Sequence, residues 1–346
     1  MNIKTLSADE ILSINPSHPE QLFNKDTIDF QLKLLQSKWH PDRNLHPRSG
    51  EVFKHIMLLY NNANNYIINN TWSGPSVLDI ITTDRKHYRL SYKKMHQFEL
   101  GYVYISSTKI CYVINPKFEI LFNNAVKILE SKIQYPSTEL ECEFKQFMPN
   151  IQHIFLNTNI GHILVLEKTS DIVMLQDLLD YMPDNNLDPK HVAWIMSSLL
   201  NISCFLEYTN LVHLGLSTNT VFVNPKQHTC YIFGGWWYTT INDNKILAIP
   251  KTSSKVLPKT ELTNKLAKLK YNRMLIKAIG LRCLGDNTLT GTSLLKDPNI
   301  PSHMLKWMRD FPVKTASQEY SNWYSVLTKC YGKRTFIELN VNIEDI

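Results

Sequence analysis

A chain of 346 residues exceeds the usual size of one domain, and its 43% apolar and 20% charged residues supply material for an ordinary globular core, so two domains are expected. A net charge of +6 with no basic run argues against a nucleic-acid partner, and no apolar stretch approaches the roughly 18 residues of a membrane span. The six cysteines (Cys111, Cys142, Cys204, Cys230, Cys283 and Cys330) form no Cys-x-x-Cys pair, which excludes a zinc or disulfide framework and implies buried thiols in a reducing compartment.

The N-terminus, MNIKTLSADEILSI, carries acidic residues where a secretion signal would have its apolar core, so a cytoplasmic protein is expected. Ser7 and Glu10 fit a capping box opening a short helix over 8–14. From about Asp26, Ile28, Leu32, Leu35 and Trp39 recur at the spacing of one helical face. Phe53, Ile56, Tyr60, Ala63 and Ile67 repeat that spacing, which predicts a second helix packed antiparallel on the first. Between them lies QSKWHPDRN. Pro41 disfavours helical geometry at His40 and has no amide hydrogen to donate, so the helix should end there and a loop should project His40, Asp42 and Arg43. For the tripeptide alone, a solvent-facing turn is a sufficient account. His46 and His55, with His40, have no metal-site spacing.

NNTWSGPS, 69–76, marks a boundary, after which the period changes. Strands are predicted over 88–93, 98–105 and 110–114, then a helix over 117–132, then strands over 151–156 and 162–167. Asp188 and Pro189 open a long helix with Val192, Ile195, Leu199, Ile202 and Leu206 on one face. Strands and a helix followed by a helical half make an α+β pattern of two lobes.

The capped helix, the helix with Lys33 and Lys38, the His-Pro-Asp loop and the returning EVFKHIMLLYNNANNYI together resemble the J-domain of DnaJ-type co-chaperones, over residues 1–72. LKLLQSKWHPDRN, Phe53 and Tyr60 carry the resemblance. It implies binding to a DnaK-type, seventy-kilodalton heat-shock chaperone and stimulation of its ATP hydrolysis. His40, Pro41 and Asp42 would then be the functional loop, and Lys33, Lys38 and Arg43 the docking charges. The connection between the first two helices is longer than usual in that family. No glycine/phenylalanine-rich linker or zinc module follows. A J-domain fitted to a different partner domain is therefore expected, with 73–84 as linker.

Residues 85–346 resemble a protein kinase, with a small lobe over 85–168 and a large helical lobe over 169–346. HILVLEKTSDIVMLQDLLDYM resembles the last small-lobe strand, hinge and next helix; HVAWIMSSLLNISCFLEYTNLVHLGLSTNTVFVN resembles the helix entering the catalytic loop; NWYSVLTKCYGKRTFIEL resembles the closing helices. Phosphoryl transfer needs metal ligands, a phosphate-gripping lysine, a covering glycine loop and an aspartate at the substrate hydroxyl. In HLGLSTNT, His213 and Leu216 match the family, but Gly215 stands for the catalytic aspartate and Thr220 for the metal-binding asparagine, with Asn219 one place off. In CYIFGGWWY, Ile232 replaces the metal-binding aspartate before Phe233 and Gly234. FELGYVYI offers only Gly101 to a phosphate loop, and CYVIN puts Asn115 at the strand lysine. Neither Ile232 nor Gly215 can hold magnesium or take a proton, so the resemblance implies a pseudokinase. His213, with no adjacent acid, reads as structural. Trp236, Trp237 and Tyr238 fit a binding surface or core equally well.

The resulting expectation is a non-enzymatic co-chaperone without cofactor or metal, its J-domain engaging a DnaK-type chaperone and its kinase-like domain holding an unidentified protein client. Two alternatives stand beside it. One is an atypical kinase or nucleotidyl transferase using displaced ligands such as Asp171, Asp177 or Asp180. The other is a protein that sequesters the chaperone. Frequent Asn, Ile and Lys suit an AT-rich genome, as in many bacteria and phages.

Overall fold

The computed structural model describes residues 3, 6–69, 72, 76–312, 314–333 and 335–346. Most of the expected boundary at 69–76 lies outside them. The chain divides into two compact units, residues 1–96 with 104–106, and 97–103 with 107–346.

The first unit begins with helices α1 (Ala8–Leu12), α2 (Ile28–Trp39) and α3 (Ser49–Ile68). The Ser7–Glu10 box forms as read: the Glu10 amide donates to Ser7 Oγ at 3.3 Å and the Ser7 amide to Glu10 Oε2 at 2.7 Å. The helix stops two residues short of the expected Ile14, where Ser13 caps it through its own amide. On α2 the buried residues are Ile28, Leu32, Leu35 and Trp39, as expected. On α3 the core stripe differs from the reading. Val52, Ile56, Leu59 and Ala63 are buried, while Phe53, Tyr60 and Ile67 flank them half-buried. Phe53 is drawn aside by the His40 ring, edge-on at 5.4 Å, and Tyr60 reaches out to donate to Asp29 at 2.8 Å. These two contacts, one at each end, show that α2 and α3 run antiparallel.

The stretch read as linker contains strand β1 (Ser76–Ile81), paired antiparallel with β2 (His87–Tyr92). Leu78, Ile80 and Tyr92 are buried, and Asn24 Nδ2 donates to the Val77 carbonyl at 2.5 Å. The hairpin thus belongs to the helical unit, not to a linker or a following lobe.

The expected strand over 98–105 is two strands, β3 (Lys94–Phe98) and β4 (Gly101–Ile105), joined at Glu99 and Leu100. With β5 (Lys109–Ile114), β6 (Asn150–Thr158) and β7 (Gly161–Glu167) they make a five-stranded sheet ordered β3-β4-β5-β7-β6. The helix expected over 117–132 is α4 (Glu119–Ser131) after a 3₁₀ turn, Pro116–Phe118. A further helix, α5 (Thr138–Phe144), was not anticipated. Beyond the sheet come β8 (Val173–Met174), α6 (Leu175–Tyr181) and α7 (Pro189–Tyr208). All five expected face residues of α7 are buried, and so are Trp194, Met196, Leu200 and Phe205, so the helix runs through the core. Short strands β9 (Leu211–His213), β10 (Val221–Asn224), β11 (Thr229–Ile232) and β12 (Thr239–Ile241) follow. Then come α8 (Lys251–Val256), α9 (Lys259–Leu262), α10 (Lys270–Cys283), α11 (Ser302–Arg309) and α12 (Ala316–Tyr331). The closing helices resolve into α12 alone, which ends at Gly332 with φ of 69°. Among the described residues no helix is long and apolar enough to cross a membrane.

The shifted stripe on α3 is directly testable. Leu59 is 0% exposed and its neighbour Leu58 46% exposed. Leu59→Ala should cost about 2–5 kcal/mol in urea unfolding, whereas Leu58→Ala should stay within about 0.5 kcal/mol of wild type.

Candidate functional site

The loop after α2 is built from its own polar atoms. His40 takes the extended conformation that Pro41 requires, φ −61° and ψ 125°, and its carbonyl accepts the amides of Arg43 and Asn44, both at 2.9 Å. Asn44 Nδ2 donates to the Lys38 carbonyl at 2.8 Å, satisfying one of the helix-end acceptors. The Asp42 amide lies 3.3 Å from His40 Nδ1, and the two side chains approach to 3.7 Å. Asp42 is 84% exposed and His40 43%, the latter anchored on one side by Phe53. The loop therefore presents a carboxylate and an imidazole edge on a fixed base. Of the three cations singled out, Lys33 and Arg43 are exposed. Lys38 is half-buried, and its ammonium donates to the Leu6 carbonyl at 2.7 Å, which ties the chain before α1 to α2. Arg48 pairs with Asp9 at 2.6 Å and Glu51 at 2.8 Å, fixing the start of α3 beside α1.

In the second unit the residues that the kinase resemblance singles out are packed. Ile232 and His213 are 0% exposed, and Phe233 is also buried. Gly215 and Gly235 pass so closely that a Cβ on Gly215 would lie 2.4 Å from the Gly235 carbonyl oxygen. Gly235 itself has φ of 82°, which favours glycine. Thr220 spends its hydroxyl on the Gly215 carbonyl, 2.7 Å, and on the Ser217 amide, 2.9 Å, closing the loop on itself; Asn219 faces solvent. His213 is held by backbone: Asn272 of α10 accepts its amide at 2.7 Å and donates to the Leu211 carbonyl at 2.8 Å. Its ring meets Trp236 edge-on at 4.7 Å. Burial pushes the imidazole down to about 4, only partly opposed by the His213 and Gly234 carbonyls.

Trp236, Trp237 and Tyr238 form a buried 3₁₀ turn, so they are core and not a binding surface. Asn115 is exposed beyond the end of β5, where it caps the following turn by accepting the Lys117 amide at 3.1 Å. The side chain that does reach the crevice from β5 is Tyr112. A Cβ on Gly234 would come within 2.5 Å of its hydroxyl, and burial drives the phenol pKa well up. Phe98 stacks on Trp237 at 5.3 Å, and Tyr112 stands edge-on to both, at 6.1 and 4.9 Å. At the turn between β3 and β4, Glu99 accepts the Tyr238 hydroxyl at 3.0 Å and the Lys251 amide at 2.8 Å. From α4, Asn124 donates to the Trp237 and Thr239 carbonyls at 3.2 and 2.9 Å. The turn between β3 and β4 is thus tied to the turn after β11 by hydrogen bonds and aromatic contacts. Tyr112, Glu99, Asn124 and Asn272 were not singled out in the sequence. Only Tyr112 carried a signal, as an aromatic inside the strand searched for a lysine.

The displaced carboxylates have local occupations. Asp171 accepts Asn224 Nδ2 at 2.6 Å and the Thr169 hydroxyl, the latter chief in holding its pKa down. Asp180 accepts Gln176 Nε2 at 2.7 Å, and Asp177 is buried. Among the described residues no three His, Cys, Asp or Glu side chains converge as a metal site.

No protein-family model matches the chain, and no curated protein matches it. Among solved structures it is similar to vaccinia related kinase 3, with a TM-score of 0.51 and 16% identity over 75% of this chain and 92% of that one. At that identity the likeness is one of fold: the chain contains a two-lobed, α+β, kinase-like fold.

The buried His213 sets a pH dependence. Its folded pKa of about 4 lies below the roughly 6.5 of an unfolded histidine, so the unfolded chain takes up the proton first. Its stability contribution is intact above about pH 6.5 and is lost as pH falls toward 4, by up to roughly 3 kcal/mol. Urea midpoints of wild type should fall across that window more steeply than those of His213→Phe.

Proposed function

We propose that this chain is a J-domain co-chaperone whose kinase-like domain is a catalytically inactive pseudokinase that holds a client or partner protein. The observation that carries the chaperone half is the loop of His40, Pro41 and Asp42. It sits at the turn of an antiparallel helix pair, with Asp42 open to solvent and His40 braced on Phe53. Lys33 and Arg43 lie exposed on α2 and on the loop, where an acidic chaperone surface would meet them. Lys38, occupied by the Leu6 carbonyl, serves the fold first and docking second.

The inactive reading rests on what fills the crevice. Phosphoryl transfer works by positioning and charge stabilisation around magnesium and the transferred group. Here Phe98, Tyr112 and Trp237 pack ring on ring beside the turn after β11, and the residues that the kinase resemblance aligns with the metal and base positions are Ile232 and Gly215. Joining such a domain to a J-domain raises the effective concentration of chaperone at whatever the domain holds.

Steady-state ATP hydrolysis by a bacterial DnaK-type chaperone should rise in the presence of the wild-type protein and return to its basal rate with His40→Gln. Tight binding without stimulation would instead support sequestration. For the kinase-like domain, ATP with magnesium should leave the melting temperature unchanged. Restoring an acid by Gly215→Asp should cost about 2 kcal/mol or more through its collision with Gly235, without any gain of phosphotransfer. A nucleotide-dependent thermal shift would sink the inactive reading.

A further inference from the structure

A second concavity, of about 500 Å³, opens between the first half of α7, α12 and the segment after Tyr331. It lies apart from the aromatic crevice, and its size is that of a site for a drug-sized molecule. One wall is a continuous stack of rings. His228, in the turn between β10 and β11, lies parallel to Trp194 at 4.8 Å with 2° between planes, and Phe336 covers its other side at 4.2 Å. Trp323 supports the floor, its indole donating to Ser197 Oγ at 3.0 Å. The wall is set by these contacts before any ligand arrives. Phe336 and Tyr324 are nevertheless 69% and 62% exposed, large apolar surfaces that the chain itself leaves open.

Charges of both signs stand near this cavity, but the side chains that line it are basic where they are charged. Lys190 and Lys333 line it, both exposed, and among the described residues of the lining there is no aspartate or glutamate. Asp188 lies outside the lining, its carboxylate accepting the Lys190 amide at 2.8 Å as the cap of α7. The exposed rings of Phe336 and Tyr324 favour a planar ring by stacking, and the two lining lysines favour an anion. We propose that this cavity binds a small molecule that joins a planar aromatic ring to an anionic group. Its volume, about 500 Å³, suits a compact ligand over an extended peptide. The assignment is independent of the chaperone reading, since no residue of the first unit takes part.

Titration of the full chain with anilinonaphthalene sulfonate, followed by its fluorescence, tests this. One saturable site per chain is expected. Lys190→Glu with Lys333→Glu should weaken it about tenfold or more while leaving the melting temperature unchanged. The uncharged phenylnaphthylamine should bind wild type more weakly and be indifferent to the charge reversal. Ala193→Phe, which adds a ring inside the cavity, should abolish both; should that variant not fold, the charge reversal decides alone. No saturable site, or equal affinity of the dye for wild-type and charge-reversed protein, would overturn the proposal.

Discussion

The stacking of Phe98 on Trp237, with Tyr112 edge-on to both, is the contact on which the second unit's organisation depends. It joins the sheet to the turn after β11 through a junction made of rings. Such pairs contribute about 0.5–1.5 kcal/mol each beyond the apolar area they bury. A charge placed among them would lose its hydration with nothing to replace it. That constraint explains the company the rings keep: an apolar Ile232, a Gly215 without a side chain, a neutral His213, and a Tyr112 phenol held protonated. The charged and polar groups are pushed to the edge, where Glu99 finds Tyr238 and the Lys251 amide.

The close passage of Gly215 by Gly235 follows from the same arrangement. The turn at Trp236–Tyr238 must enter the core to deliver Trp237, and it does so through a left-handed glycine laid directly on the loop after β9. Asn272 then completes the seat by gripping β9 through backbone groups alone. The kinase-like fold is thus held at this point by packing and hydrogen bonds.

The first unit uses an opposite logic. Its α2–α3 pair is held by an apolar stripe, and the connection between the two helices is a short polar loop. Pro41 ends the helix, Asn44 satisfies its carbonyl end, and Phe53 steadies His40. The loop is stiffened without being buried.

Much of this was legible along the chain because it depends on local chemistry. The Ser7–Glu10 box, the helix end at Pro41, the apolar face of α2 and the start of α7 at Pro189 each require only near neighbours, and each was read correctly. The absence of acids at 215 and 232 is likewise a matter of residue identity. Other features needed the tertiary structure. Phe53 and Tyr60 match the helical period as well as Val52 and Leu59 do, and only the contacts of His40 and Asp29 decide which face turns inward. The hairpin of β1 and β2 joined the helices because Asn24 reaches Val77 across more than fifty residues. Trp236, Trp237 and Tyr238 could serve a surface or a core until Phe98 and Tyr112 were brought against them. The sequence by itself determined where several elements begin, and that residues 215 and 232 carry no acid. Which aromatic rings meet, and so whether the crevice is filled, is a property of distant segments brought together, and only the fold decided it.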